Sequence, residues 1–235
     1  MRSTIVKANT GQTNTPLSNT VPSNPFSTRC FQPGVIPYHF GARGSLGELM
    51  RRADQPGYCW LIVGPHGTGK STLLHQLHRE AVESIRSDTA VLHCLRGRRA
   101  TTYRETQDWP LVGSAEWMFV DGFEQLPLWR RIRMVAQVRR RGVRCIATSH
   151  RMHFGFQSLW NTVVDPTVEH YVLTQLLSEH PRATLEAALS SEEWRESRLR
   201  HGPNVRESLF DMYDWWQKHE TGYSERTSDP SRSNS

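Results

Sequence analysis

The chain has little cysteine, and what it has is poorly spaced for chemistry. Its four cysteines, Cys30, Cys59, Cys94 and Cys145, are spread over 235 residues, and no two stand at the short Cys-x-x-Cys separation of a zinc or redox site. Cys94 and Cys145 lie inside the apolar runs VLHCL and VRCIA, where reduced core thiols are expected. Long hydrophobic runs are also missing. No apolar stretch approaches the roughly 18 residues that cross a bilayer, and the N-terminus lacks the apolar segment of a secretion signal. These absences argue against a disulfide-stapled scaffold and a membrane partner, and lead to the expectation of a soluble, cytoplasmic protein. Acid is absent from residues 1–33, a stretch rich in Ser, Thr, Asn and Pro; such a composition is expected to form a disordered tail, as are residues 221–235.

What is present is a modest excess of positive charge. The 29 Lys and Arg residues outnumber the 23 Asp and Glu, for a net charge of +6, which favours polyanionic partners such as nucleotides, nucleic acid or an anionic surface. A hydrophobic fraction of 37% supports a core, and a mean hydropathy of −0.60 leaves room for exposed stretches. The length suits one α/β domain with a small appendage.

Between the tails, apolar runs alternate with helical patterns. The runs CWLIVG (59–64), TAVLHCL (89–95), WMFVD (117–121) and VRCIATS (143–149) read as strands, with TVVD (162–165) as a short fifth. The segment 70–85 places Leu73, Leu74, Leu77, Ala81 and Ile85 at helical spacing. In 126–142, Leu128, Ile132, Val135 and Val138 share one face, and Gly142 is a stop. A short helix is expected over 45–52. Strands separated by helices imply a parallel sheet with both faces covered. From Pro166 the pattern turns helical only, over 168–180, 181–189, 191–199 and 204–219, with Ser190 or Ser191 as a cap. The expected division is a tail 1–33, an α/β domain 34–166, a helical subdomain 167–220 and a tail 221–235.

The segment Gly64, Pro65, His66, Gly67, Thr68, Gly69, Lys70, Ser71 fits GxxxxGK[ST], followed by Thr72, between an apolar strand and an amphipathic helix. Glycines let main-chain N–H groups curl around phosphate oxygens, and the helix start adds partial positive charge. In this pattern Lys70 reaches the β- and γ-phosphates and the Ser71 hydroxyl is a Mg²⁺ ligand. A glycine-rich turn with an incidental lysine would show the same letters, but not the same flanks.

This stretch resembles the Walker A motif of P-loop NTPases. The resemblance implies a second motif, an apolar strand ending in Asp, and WMFVD supplies Asp121 for the Mg²⁺ shell. The intervening run 89–95 is similar to the layout of the ASCE division, in which an extra strand separates the two motif strands. That division uses a glutamate to activate water. Here Asp121 is followed by Gly122, and the nearest acid is Glu124, which either serves as that base or merely favours the start of the next helix. At the end of the fourth strand, CIATSHR, AAA+ proteins carry a polar sensor; Thr148 and Ser149 are the candidates. His150 stands where ABC-type ATPases place a switch histidine, though the chain has no LSGGQ-type signature. GPNVRESL (202–209) is similar to a segment in the helical lid of some AAA+ ATPases, which makes Arg206 a candidate second sensor; a solvated arginine is the alternative. VVDPTVEHYVL is similar to the passage from sheet to lid. The chain thus resembles AAA+ or STAND-like ATPases, and also P-loop ATPases of no assigned activity that carry DG-x-EQL and ATSHR-like segments.

Two further features are ambiguous. RRIRMVAQVRRR (130–141) is the densest basic run and LRGRR (95–99) a second; either contacts nucleic acid or is a solvated face. Arg151 is a weak candidate for a finger reaching a second subunit. Tyr38 and Phe40 either stack on a base or pack at the core edge. The expectation is an α/β, parallel-sheet P-loop NTPase three-layer sandwich with a small C-terminal helical lid, binding ATP and Mg²⁺ and acting as an ATPase. Nucleic acid, a protein partner or a homo-oligomer are candidate partners. The alternatives are a nucleotide-gated switch with little hydrolysis, or a phosphotransferase. No NKxD base-reading motif occurs, which favours ATP over GTP.

Overall fold

The computed structural model describes residues 24–83, 90–94 and 116–227, with the side chains of 90–94 and 219–227 excepted. The expected basic loop 95–99, Ile85 of the first amphipathic helix and residues 1–23 and 228–235 lie outside the described residues. The strands are β1 (Cys59–Val63), β2 (Ala90–Cys94), β3 (Trp117–Asp121), β4 (Arg144–Ser149) and β5 (Gln157–Asn161). The helices are α1 (Leu46–Ala53), α2 (Lys70–Glu83), α3 (Leu128–Arg141), α4 (Pro166–Leu176), α5 (Arg182–Ser190), α6 (Glu192–His201) and α7 (Val205–Thr227).

The strands pair in parallel in the order β2-β3-β4-β1-β5. Side chains alternate across the sheet as a period of two requires. Cys59, Leu61, Met118, Val120, Cys145 and Ala147 join Met134 and Val138 of α3 in one core. Trp60, Ile62, Trp117, Phe119 and Ile146 join Leu73, Leu74 and Leu77 of α2 and Leu49 and Met50 of α1 in the other. Both faces are covered, which is the three-layer arrangement expected of continuous apolar strands. β1 and β3 are separated in the sheet by β4, while β2 lies at the edge beyond β3. Cys59 and Cys145 are buried free thiols on neighbouring strands.

Several boundaries differ from expectation for local reasons. The fifth strand is 157–161, not 162–165. Thr162 N–H donates to Val63 O as the last rung, and Asp165 is needed as the cap of α4, accepting from Val168 N–H. Ser191 caps α6 by accepting from Trp194 N–H. α7 continues to Thr227, past the expected helix end at 219 and into the expected tail 221–235; the sequence offers no proline before Pro230 to stop it. In α3, Leu128 and Ile132 face outward rather than onto the sheet. Met134 and Val138 take the buried line, and at 100° per residue Leu128 and Ile132 fall well off it.

The largest departure is the expected tail of 1–33. From Asn24 the chain packs on the C-terminal helices. Phe26 is fully buried among Leu173, Leu209, Met212, Trp215 and Trp216, with its ring 6.3 Å from Trp215 and 6.1 Å from Trp216. Phe31 meets Phe210 edge-on at 5.2 Å, and Asn24 Nδ2 donates to Tyr213 O. Two isolated phenylalanines in a polar stretch carry no periodicity, so composition hid them. Phe26→Ala is expected to cost about 3–5 kcal/mol, as other fully buried phenylalanines do. Denaturant unfolding measures it; a cost under about 1 kcal/mol would mean that the segment is not docked.

Candidate functional site

β1 ends at Val63, and the chain turns through Gly64–Gly69 into α2. Gly67 and Gly69 have φ of 68° and 87°, a left-handed backbone that suits glycine. Crowding is the second reason for glycine. A Cβ on Gly64 would lie 2.0 Å from Thr162 Oγ1, and one on Gly67 1.8 Å from Asn204 Oδ1. The loop is therefore gripped by the end of β5 and by the start of α7. Thr68 Oγ1 donates to Pro65 O (3.0 Å) and lies 2.6 Å from Thr162 Oγ1, which fixes the curl.

Inside that curl is Lys70, a nearly buried cation. Its ammonium donates to Gly64 O (2.8 Å) and Pro65 O (2.6 Å) and stands 3.2 Å from His150 Nδ1. Burial lowers the Lys70 ammonium to about 8, with Glu124 and Asp121 pulling the other way. Such a group gains from any anion brought to it.

Ser71 and Asp121, the expected metal pair, touch: Ser71 Oγ donates to Asp121 Oδ1 at 2.9 Å. Thr148 Oγ1 donates to the same carboxylate oxygen at 2.7 Å and accepts from Gly122 N–H at 2.8 Å. Thr148 thus sits on β4 between the loop strand and the Asp121 strand and fixes the acid from the side. Glu124 lies in a short 3-10 turn, Phe123–Gln125. Its Oε1 is 3.3 Å from His150 Nε2. Its Oε2 is buried and has no hydrogen-bond partner among the described residues. His150 Nδ1 also lies 3.1 Å from Gly64 O, so this ring nitrogen stands beside both the Lys70 ammonium and a loop carbonyl while Nε2 faces Glu124. The His150 ring rests against His66 with centroids 3.8 Å apart. Burial, then His150 and Lys70, hold His66 below the ordinary histidine range.

Ser149 does not join the site. Its buried hydroxyl lies 2.8 Å from His153 Nε2, because alternation along β4 turns it away from Thr148. Arg206 is exposed on the first turn of α7 and lines the cavity rim, with its guanidinium 5.7 Å from the Phe210 ring. Phe40 packs at the core edge, and Tyr38 both packs there and lines the cavity. Tyr38 Oη accepts from Trp160 Nε1, and its ring backs onto Gly69.

Gly67, Lys70, Ser71, Thr72, Asp121, Glu124, Thr148, His150 and Arg206 line one cavity of about 390 Å³, within the range of ligand pockets. Its far wall is apolar, from Phe31, Ile36, Pro37, Val168, Val172 and Leu209. The sequence reading missed this wall, along with Asn204 and Thr162. Asn204 is legible as a helix cap, accepting from Glu207 N–H, but nothing local signals that it abuts the loop.

Oxygen donors at Ser71 and Asp121 suit Mg²⁺, which takes few protein ligands and completes its shell with phosphates and water. Among the described residues no group of three His, Cys, Asp or Glu forms a self-sufficient metal site. The parallel sheet lies between helical layers, with the GPHGTGKS loop after β1, Asp121 closing β3 beyond an intervening β4, and a C-terminal helical unit, which is the three-layer α/β sandwich that the sequence resemblance led one to expect.

No family model and no curated protein sequence matches the chain. It is similar to the crystal structure of domain III from the Thermotoga maritima replication initiation protein DnaA. That likeness has a TM-score of 0.48 and 13% identity, over 85% of this chain and 98% of that one. The fold assignment rests on strand order and loop, not on this likeness. No helix among the described residues is long and apolar enough to cross a membrane.

Gly67→Ala is expected to destabilise the fold by about 1–3 kcal/mol, through its positive φ and the clash with Asn204. Gly67→Ala with Asn204→Gly should recover part of that loss in thermal unfolding. No recovery would show that Asn204 does not press on the loop.

Proposed function

We propose that the chain binds ATP with Mg²⁺ and hydrolyses it. The observation that carries this reading is the Ser71–Asp121 contact at the foot of the Lys70 loop, in a cavity that Glu124 also lines. Ser71 and Asp121 would hold the Mg²⁺, which when bound would supply charge neutralisation for the phosphates. The Lys70 ammonium exchanges the Gly64 and Pro65 carbonyls for phosphate oxygens, and their charge reverses the effect of burial upon it. Glu124 takes the proton of a water as its oxygen attacks the γ-phosphorus and the bond to the β-phosphate oxygen breaks. Thr148 keeps Asp121 oriented, and His150 senses the γ-phosphate. The apolar wall holds the base, and the missing NKxD motif favours adenine. The helices from α4 onward act as a lid, with Arg206 at its edge.

A second reading has its own observation. Glu124 Oε1 is tied to His150, so the base is partly withheld. That favours a nucleotide-gated switch with slow hydrolysis.

Phosphate release and ATP calorimetry with Mg²⁺ separate the two. Lys70→Ala is expected to weaken ATP binding at least ~100-fold, by loss of a charge-assisted contact. Glu124→Gln should bind ATP as wild type and turn over ~10²–10⁴-fold slower. Tight binding with negligible turnover in wild type selects the switch. No heat of ATP association in folded wild-type protein sinks both readings.

A further inference from the structure

The outer face of α3 has no role in the nucleotide site. Leu128, Trp129 and Ile132 are 69%, 59% and 63% exposed. They fall on one turn and its successor, close enough to form one surface. Exposed single apolar residues are ordinary, but three large ones together mark a binding surface. Beside and below them Arg133, Arg139, Arg140 and Arg141 are exposed. The Arg130 guanidinium covers the Trp129 ring at 5.0 Å. Phe154 and Met152 are exposed on the loop after β4. Arg139 joins that loop to α3 by donating to Gly155 O.

The charge of this region has one sign. No acidic residue occurs between Glu124 and Asp165. Three arginines of this region are engaged internally: Arg131 donates to the Glu124 and Leu126 carbonyls, Arg139 to Gly155 O, and Arg144 pairs with Asp54. The others stand around the apolar patch.

We propose that the outer face of α3 docks an acidic amphipathic segment of another protein. Tryptophan and arginine around an aliphatic centre are the composition of protein-binding hot spots. Leu128 and Ile132 favour a protein over nucleic acid, because aliphatic side chains give a base no flat surface to stack on. The arginines supply attraction for the acids of such a segment and speed its encounter. A helix presenting apolar residues at i, i+3 and i+4, with acids flanking them, fits this face.

The test uses the full chain and a synthetic helical peptide of about 20 residues, with Leu and Phe at those spacings and Glu elsewhere. Single-stranded oligo(dT) is titrated in parallel. The peptide is expected to bind with a Kd of roughly 1–100 µM that weakens with salt. Trp129→Ala and Ile132→Glu should each lose ~10-fold or more, and Arg140→Glu should lose binding mainly through a slower on-rate. All three positions are exposed, so unchanged melting confirms folding. Peptide binding that ignores these variants overturns the proposal. So does oligo(dT) binding lost in the same variants while the peptide is not bound, which assigns the face to nucleic acid. Self-association abolished by Ile132→Glu assigns it to a second copy and also overturns the proposal. Protection of Trp129 from hydroxyl radicals in dilute free protein would show the face already covered, and ends the proposal as well.

Discussion

A buried ammonium held by main-chain carbonyls is the constraint around which this molecule is arranged. Lys70 cannot reach Gly64 O and Pro65 O unless the loop between them curls, and the curl needs glycine at positions of positive φ. The curl needs outside support in turn, and it comes from distant parts of the chain: Thr162 after β5, Asn204 at the start of α7 and Tyr38 ahead of α1. The cost of burying the charge sits where an anion would remove it. The order β2-β3-β4-β1-β5 serves the same end. It brings Asp121, Thr148 and the loop to one edge of the sheet, at the carboxyl ends of their strands, where open α/β sheets bind ligands.

Much of this was legible in the sequence because it is local. The loop, its strand and its helix are contiguous, so GPHGTGKS between CWLIV and an apolar-periodic segment carries its own context. WMFVD declares itself by a run of buried residues ending in an acid. Thr148 and His150 were found together with Ser149 as one cluster, but strand alternation decides which of them faces the cavity. That decision turns on the strand's rotation in the sheet, and not on the letters TSH. For α3, apolar residues outnumber the places available on its buried stripe. The sequence shows which residues are apolar; only the docking of Met134 and Val138 shows which are left outside.

What was not legible is nonlocal. Phe26 and Phe31 stand in a stretch whose composition reads as unstructured, and they are ordered by Trp215, Trp216 and Phe210 nearly two hundred residues away. Asn204 touches Gly67 across a shorter but still long stretch of chain. Neither contact leaves a periodic trace. The apolar wall of the cavity is assembled from the segment 31–37, α4 and α7, each supplying one or two residues that look unremarkable alone.

The route of the N-terminal segment has a mechanical consequence. Phe31 is anchored on α7 and Tyr38 on the sheet side, at Gln76 and Trp160. The stretch between them spans at most ~25 Å even when drawn straight. A second short link, Thr162 to Pro166, joins the same two bodies on the other route of the chain. Two leashes of this kind limit how far the bodies can part, and the contact of Asn204 with the loop at Gly67 and the stacking of His39 on Tyr171 hold them together between the leashes. The cavity lies between the leashed bodies and takes its lining from both, Lys70 and Asp121 on the sheet side and Val172 and Leu209 on the helical side.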